Sequence, residues 1–167
     1  MSQKELVVVR LLNDLIGELV GATNSFRIYQ TNFFNERLCN QSKAVIYRIH
    51  VSFILLSLAK LNEFYKNYKQ YIPSNLREDA KKIFQREIQS RGIIHFRNKV
   101  VGHLHDKKTN QPLERAEIQE RLDKIIGSDI NEFLLWINDR DVNGDSVVGL
   151  CEKIRNAITA THNLTND

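Results

Sequence analysis

From Lys43 to Gln70 the chain places Ile46, Ile49, Phe53, Leu56, Leu61, Phe64 and Tyr68 at helical spacing, with no proline or glycine among them. A long helix with one apolar stripe obliges the rest of the chain to cover that stripe. The rest is built from similar material, since 167 residues contain only two prolines and seven glycines. Residues 5–20 put Val8, Leu12, Leu15 and Leu19 on one face, and Gly21-Ala22-Thr23-Asn24 is the expected break. Phe26, Tyr29, Phe33 and Leu38 then predict a second helix or a continuation of the first.

Beyond the long stripe, Pro73 ends one element, and Asn75 followed by Glu78 has the form of a capping box opening a helix to about Ser90. Gly92 marks a break before a helix over 93–105, and Thr109-Asn110-Gln111-Pro112 reads as a turn. Ile118, Leu122, Ile125 and Ile126 define a helix that Gly127 ends. Ile130, Phe133, Leu134 and Ile137 define another, and Val147, Val148, Leu150, Ile154 and Ile158 the last. No strand-like alternation, repeat or linker interrupts this pattern. The expected class is all-α: a single domain over 1–167, an antiparallel bundle with shorter C-terminal helices.

The longest apolar run, Val51 to Ala59, is too short to span a bilayer and is bounded by His50 and Lys60. Met1-Ser2-Gln3-Lys4-Glu5 lacks the layout of a secretory signal. Cys39 and Cys151 have no metal or redox spacing and fit reduced thiols, so the expected location is cytoplasmic, away from membranes. The net charge of +4 is unevenly spread: +5 over residues 1–85, +4 over 86–108 and −5 over 109–167. A basic body with an acidic tail is compatible with an anionic ligand such as nucleic acid.

The densest chemistry lies in His95-Phe96-Arg97-Asn98-Lys99-Val100-Val101-Gly102-His103-Leu104-His105-Asp106-Lys107-Lys108, which holds three of the five histidines. Ile93, Ile94, Val100, Val101 and Leu104 recur at helical spacing and bury one face, leaving arginine, asparagine and histidine for the other. A permanently charged arginine beside a histidine that titrates near neutral pH suits phosphodiester chemistry. The alternative is a solvated polar face on a buried helix. His103 and His105 point to opposite sides of a helix, so the pair is not expected to chelate a metal.

Arg97-Asn98-x4-His103, on a helix after a long core helix in an all-α chain, resembles the motif of the HEPN superfamily, whose nucleases carry Arg-x(4–6)-His. That resemblance implies a metal-independent endoribonuclease without a cofactor. The ribose 2′-hydroxyl attacks the adjacent phosphorus, leaving a 2′,3′-cyclic phosphate and a 5′-hydroxyl. It casts His103 as general acid or base, Arg97 as the phosphate holder and Asn98 as an orienting group. Lys99, Lys107 and Lys108 are the expected RNA backbone contacts.

Six helical steps turn about 240° and rise roughly 9 Å, so Arg97 and His103 diverge on one helix. The resemblance resolves this with a homodimer whose two motifs line one cleft. It also implies a toxin or phage-defence setting and an antitoxin or nucleotidyltransferase partner. The tyrosine that this partner modifies in the toxin branch is His105 here, so adenylylation at that place is not expected. The competing reading is a non-catalytic HEPN-type module that binds a protein or nucleic acid.

Two further patterns compete for attention. Arg155-Asn156-x5-His162 repeats the motif, but at a C-terminal end where a preorganised site is hard to hold. Asp141, Asn143, Asp145 and Glu152 follow the ligand layout of an EF-hand loop, yet Ser146 stands where that loop needs glycine. The alternative is a polar interhelix loop with Asp145 or Ser146 capping the last helix.

Overall fold

Ser2 opens the first helix. Its hydroxyl accepts from the Glu5 amide at 3.3 Å, while the Glu5 carboxylate accepts from the Ser2 amide at 2.8 Å. The computed structural model describes residues 1–33, 39–98, 115–139 and 145–163. Among these residues there are seven helices and no strand, in agreement with the all-α expectation.

Helix α1 (Gln3–Ile28) continues as a wider π-helical turn through Tyr29–Phe33. The long helix α2 (Asn40–Tyr68) ends in a 3-10 turn, Lys69–Tyr71. Residues 74–90 form α3, which passes from a 3-10 turn through an α-helical turn into a π-helical stretch, Lys81–Glu87, and back. Then follow α4 (Ile93–Phe96), α5 (Arg115–Ile126), α6 (Ile130–Ile137) and α7 (Val147–Asn163).

Helices α1 and α2 lie side by side and antiparallel. Glu18 of α1 accepts from Ser57 and Lys60 of α2 at 2.9 and 2.6 Å, and nearer the end of α1 Tyr29 donates to the Lys43 carbonyl at 3.2 Å. Helix α7 packs on α1, and Arg155 donates to Asn13 across that contact at 3.2 Å. Helices α3 and α4 pack on α2.

The expected break at Gly21 does not occur, and α1 runs straight through it. A glycine inside a helix costs about 0.5–1 kcal/mol relative to alanine. Burial of Leu19, Ala22, Thr23 and Phe26 around it offsets that cost. Thr23 needs no loop, because its hydroxyl donates back to the Leu19 carbonyl at 2.8 Å. The same hydroxyl accepts from Asn138 at 2.9 Å, and Arg27 donates to the Leu134 and Asn138 carbonyls at 3.4 and 2.8 Å. Side chains of α1 thereby satisfy the open C-terminal end of α6.

The core stripe of α2 also differs from the expected one. Leu61 and Phe64 are buried as read, but the rest of the buried face is Val51, Ile54, Leu55, Leu58, Ala59 and Tyr65. Ile49 is 62% exposed and Phe53 45%. Apolar residues occupy most of the circumference of α2, so spacing alone does not choose which face turns inward. The same abundance makes α2, with its extension, long and apolar enough by composition to cross a membrane. Here one part of that apolar surface packs against α1, α3 and α4, and another, with Ile49 and Phe53, stays exposed.

The capping box expected at Asn75 is absent as well. Residues 74–90 are helical, but their start is a 3-10 turn without a side-chain cap. Pro73 precedes it and fixes the entry of the chain.

Two groups of polar contacts lock the rear of the bundle. Asn62, fully buried, donates to the Phe84 carbonyl at 2.7 Å, within the wide turns of α3. Arg91 lies 4.3 Å from the Trp136 ring centre and donates to the Ile125 carbonyl at 3.2 Å, while Trp136 donates to Glu87 at 2.9 Å. Burial pushes the Arg91 pKa below its ordinary value, with Glu87 opposing.

The reassigned face is testable by chemical denaturation. Leu58→Ala is expected to cost about 2–5 kcal/mol, as for a filled core site. Within a single protomer, Ile49→Ala is expected to stay within about 0.5 kcal/mol. Equal losses would restore the original stripe.

Candidate functional site

Gly92, at φ 79°, turns the chain from α3 into α4, a conformation that favours glycine. Ile93 and Phe96 are buried, at 0 and 1% exposure, and hold the short helix α4 down on the bundle. Arg97 and Asn98 come next, in a π-helical turn, with Arg97 half-buried and Asn98 exposed. Anchoring by Phe96 therefore fixes where the Arg97 side chain departs from the surface.

The Arg97 guanidinium donates from Nη2 to Glu63 Oε1 at 2.5 Å, the two side chains being 31% and 52% exposed. Glu63 follows Asn62 on α2, so the Asn62 bond to α3 helps fix the position of the carboxylate. Arg97 Nε is buried with no hydrogen-bond partner among the described residues. Arg97 is thus a restrained cation that remains partly open to solvent, the kind of group that takes an anionic oxygen.

His95 is exposed and faces the opposite side of α4. There it lines a cleft of about 460 Å³ together with Arg91, Glu117, Arg121 and Lys124. Arg121 is already paired with Glu117. A second, mostly apolar groove of about 530 Å³ is lined by Val45, Ile49, Phe53, Phe96, Ile118 and Leu122.

Of the expected site residues, Arg97 and Asn98 are adjacent on this surface. His103, Lys99, Lys107 and Lys108 lie outside the described residues, as does His105. Sequence reasoning missed Glu63, because nothing in its own neighbourhood marks it as the partner of an arginine 34 positions later. In the second copy of the motif, Arg155 is engaged by Asn156 at 2.9 and 3.0 Å besides Asn13, so its guanidinium serves to fasten α7. The His162 side chain lies outside the described set.

The EF-hand pattern is only partly within view, since Asp141 and Asn143 lie outside the described residues. Ser146 accepts from the Gly149 amide at 3.1 Å and thereby caps α7. Among the described residues no group of three histidine, cysteine or acidic side chains is arranged to hold a metal. Both cysteines are unpaired: Cys151 is buried, and hydrogen bonding from Ser42 lowers the pKa of the exposed Cys39 thiol.

No family model matches the chain, and no curated protein matches it. A solved structure does: an integron cassette protein from the mobile metagenome of V. paracholerae. It is 28% identical, with a TM-score of 0.77, and the match covers 95% of this chain and 98% of that one. The similarity therefore extends over nearly the full length of both chains.

Thermal unfolding checks the cap reading of Ser146. Ser146→Ala is expected to lower stability by about 0.5–2 kcal/mol. Calcium at about 0.1 mM is expected to leave the wild-type midpoint unchanged, because no binding tighter than about millimolar is expected. A calcium-dependent rise would make the loop a cation site.

Proposed function

We propose that this chain is a HEPN-type, metal-independent endoribonuclease, and that Arg97 is its phosphate-binding group. The observation that carries the reading is the restrained arginine at the end of α4, held by Glu63 while its side chain stays 31% exposed. Such a guanidinium stabilises charge on phosphate oxygens without first having to be ordered. His103 removes the 2′-hydroxyl proton or protonates the leaving 5′-oxygen, and Asn98 orients one of these groups by hydrogen bonding. Lys99, Lys107 and Lys108 attract the RNA backbone. DNA lacks the attacking hydroxyl and is spared.

The active form in this reading is a homodimer, since the spacing of Arg97 and His103 would make them diverge on an ideal helix. The exposed apolar strip Val45, Ile49 and Phe53, on the groove that Phe96 also lines, favours a second copy as its cover. The setting is cytoplasmic, with a toxin or phage-defence role and an antitoxin or nucleotidyltransferase as partner. The mobile origin of the similar structure is compatible with such a role.

The rival reading is a non-catalytic helical module. It draws on the same contact, with Arg97 and Glu63 forming a structural ion pair. A partly exposed pair of this kind contributes only about 0–1 kcal/mol, so its loss would leave the fold intact.

Two measurements separate these readings. Light scattering at micromolar concentration is expected to report about twice the 19.5 kDa chain mass, and Phe53→Glu is expected to shift the protein towards monomer. A strict monomer at high concentration would remove the composite site. In RNA cleavage assays Arg97→Ala and His103→Ala are each expected to lose about a hundredfold to ten-thousandfold in rate while staying helical and dimeric. Arg97→Lys should not rescue activity, and His162→Ala should cleave normally. Cleavage lost in His162→Ala but kept in His103→Ala would move the site to the second motif. A folded wild-type dimer that cuts no RNA would favour the module.

A further inference from the structure

The seam between α1 and α2 carries a second constellation, about 20 Å along α2 from Glu63 at the helical rise per residue. Ser25 Oγ is 3.1 Å from His50 Nε2. His50 Nδ1 is 2.9 Å from the Ile46 carbonyl oxygen, one turn earlier on the same helix. A carbonyl only accepts, so Nδ1 carries the hydrogen, and in the neutral imidazole Nε2 presents its lone pair to the Ser25 hydroxyl. The ring is also held in plane. It stacks on Tyr29 at 5.4 Å and 17°, and Phe26 lies against it at 5.7 Å. Phe26 and Tyr29 are themselves buried. The Ser25 hydroxyl is on the exposed side of this arrangement.

A hydroxyl within hydrogen-bond reach of a base, with the base oriented by a third group, is the arrangement that activates a serine nucleophile. We propose that Ser25 and His50 form a nucleophile–base pair through which Ser25 accepts an acyl or phosphoryl group from an apolar activated donor. The apolar preference follows from Ile28, one helical turn on from Ser25 and 55% exposed. In the step, Ser25 Oγ bonds to the donor's carbonyl carbon or phosphorus, the bond to the leaving group breaks, and the Ser25 proton passes to His50 Nε2. Both residues lie inside helices, where backbone amides are committed to helical bonds, so no amide there is free to stabilise an oxyanion. The site is therefore a single-turnover acceptor: a modified Ser25 persists.

The test is labelling of the intact protein with a long-chain alkyl fluorophosphonate. Ser25 Oγ displaces fluoride from phosphorus in that reaction, and peptide mass spectrometry locates the adduct. Ser74 and Ser128, both exposed, are internal controls. Ser25 is expected to label at least tenfold faster than either control. His50→Gln should abolish that advantage without changing the controls, and Ser25→Ala should remove the adduct. A Ser25 rate no faster than that of Ser74 and Ser128 in the wild-type protein overturns the proposal, whatever the stability of the His50 variant. An unchanged Ser25 rate in folded His50→Gln overturns it equally.

Discussion

Burial of Ile54, Leu55, Leu58 and Leu61 on α2 sets the positions of the neighbouring helices. Each such side chain contributes about 1.5–3 kcal/mol on leaving water, and together they require apolar cover along the helix. Helix α1 supplies that cover on one side, and α3 and α4 supply it on another. Polar contacts then select the register. Glu18 meets Ser57 and Lys60, and Asn62 meets the Phe84 carbonyl, so a slide of either neighbour strands a polar group.

This order of causes places the candidate site. Phe96 belongs to the core, and Arg97 is simply the next residue, carried towards the surface at the end of α4. Glu63 belongs to α2, whose turn is fixed by Asn62. The ion pair between them is weak as a source of stability and useful as a restraint, because it limits the rotamers of a long flexible side chain. The Ser25–His50 contact arises in the same way, from two helices whose spacing the core has already set. Tyr29 contributes to both packing and orientation there, by stacking on the imidazole and donating to the Lys43 carbonyl.

The helical class and the ends of several helices were legible in the residues. Gly92 and Gly127, with φ of 79° and 86°, stop helices where glycine was read as a break. Gly21 carries the same letter but sits mid-helix, and only the burial around it separates the two cases. The face of α2 was not legible, because Ile49 and Phe53 satisfy helical spacing as well as Ile54 and Leu58 do. Arg97 and Asn98 stand out as candidates through a local motif. Glu63 and the Ser25–His50 pair were not, since each joins residues 25 or more positions apart that only tertiary packing brings together.

The chemistry of the RNA ends separates attack by the 2′-hydroxyl from metal-dependent hydrolysis. Purified protein is incubated in EDTA with a 5′-labelled RNA and with the same RNA carrying a single 2′-deoxy substitution at the cleaved position. The account predicts fragments ending in a 2′,3′-cyclic phosphate and a 5′-hydroxyl, and no cut at the deoxy position. Cleavage that needs a divalent metal, leaves 5′-phosphates or proceeds past the deoxy position would contradict it.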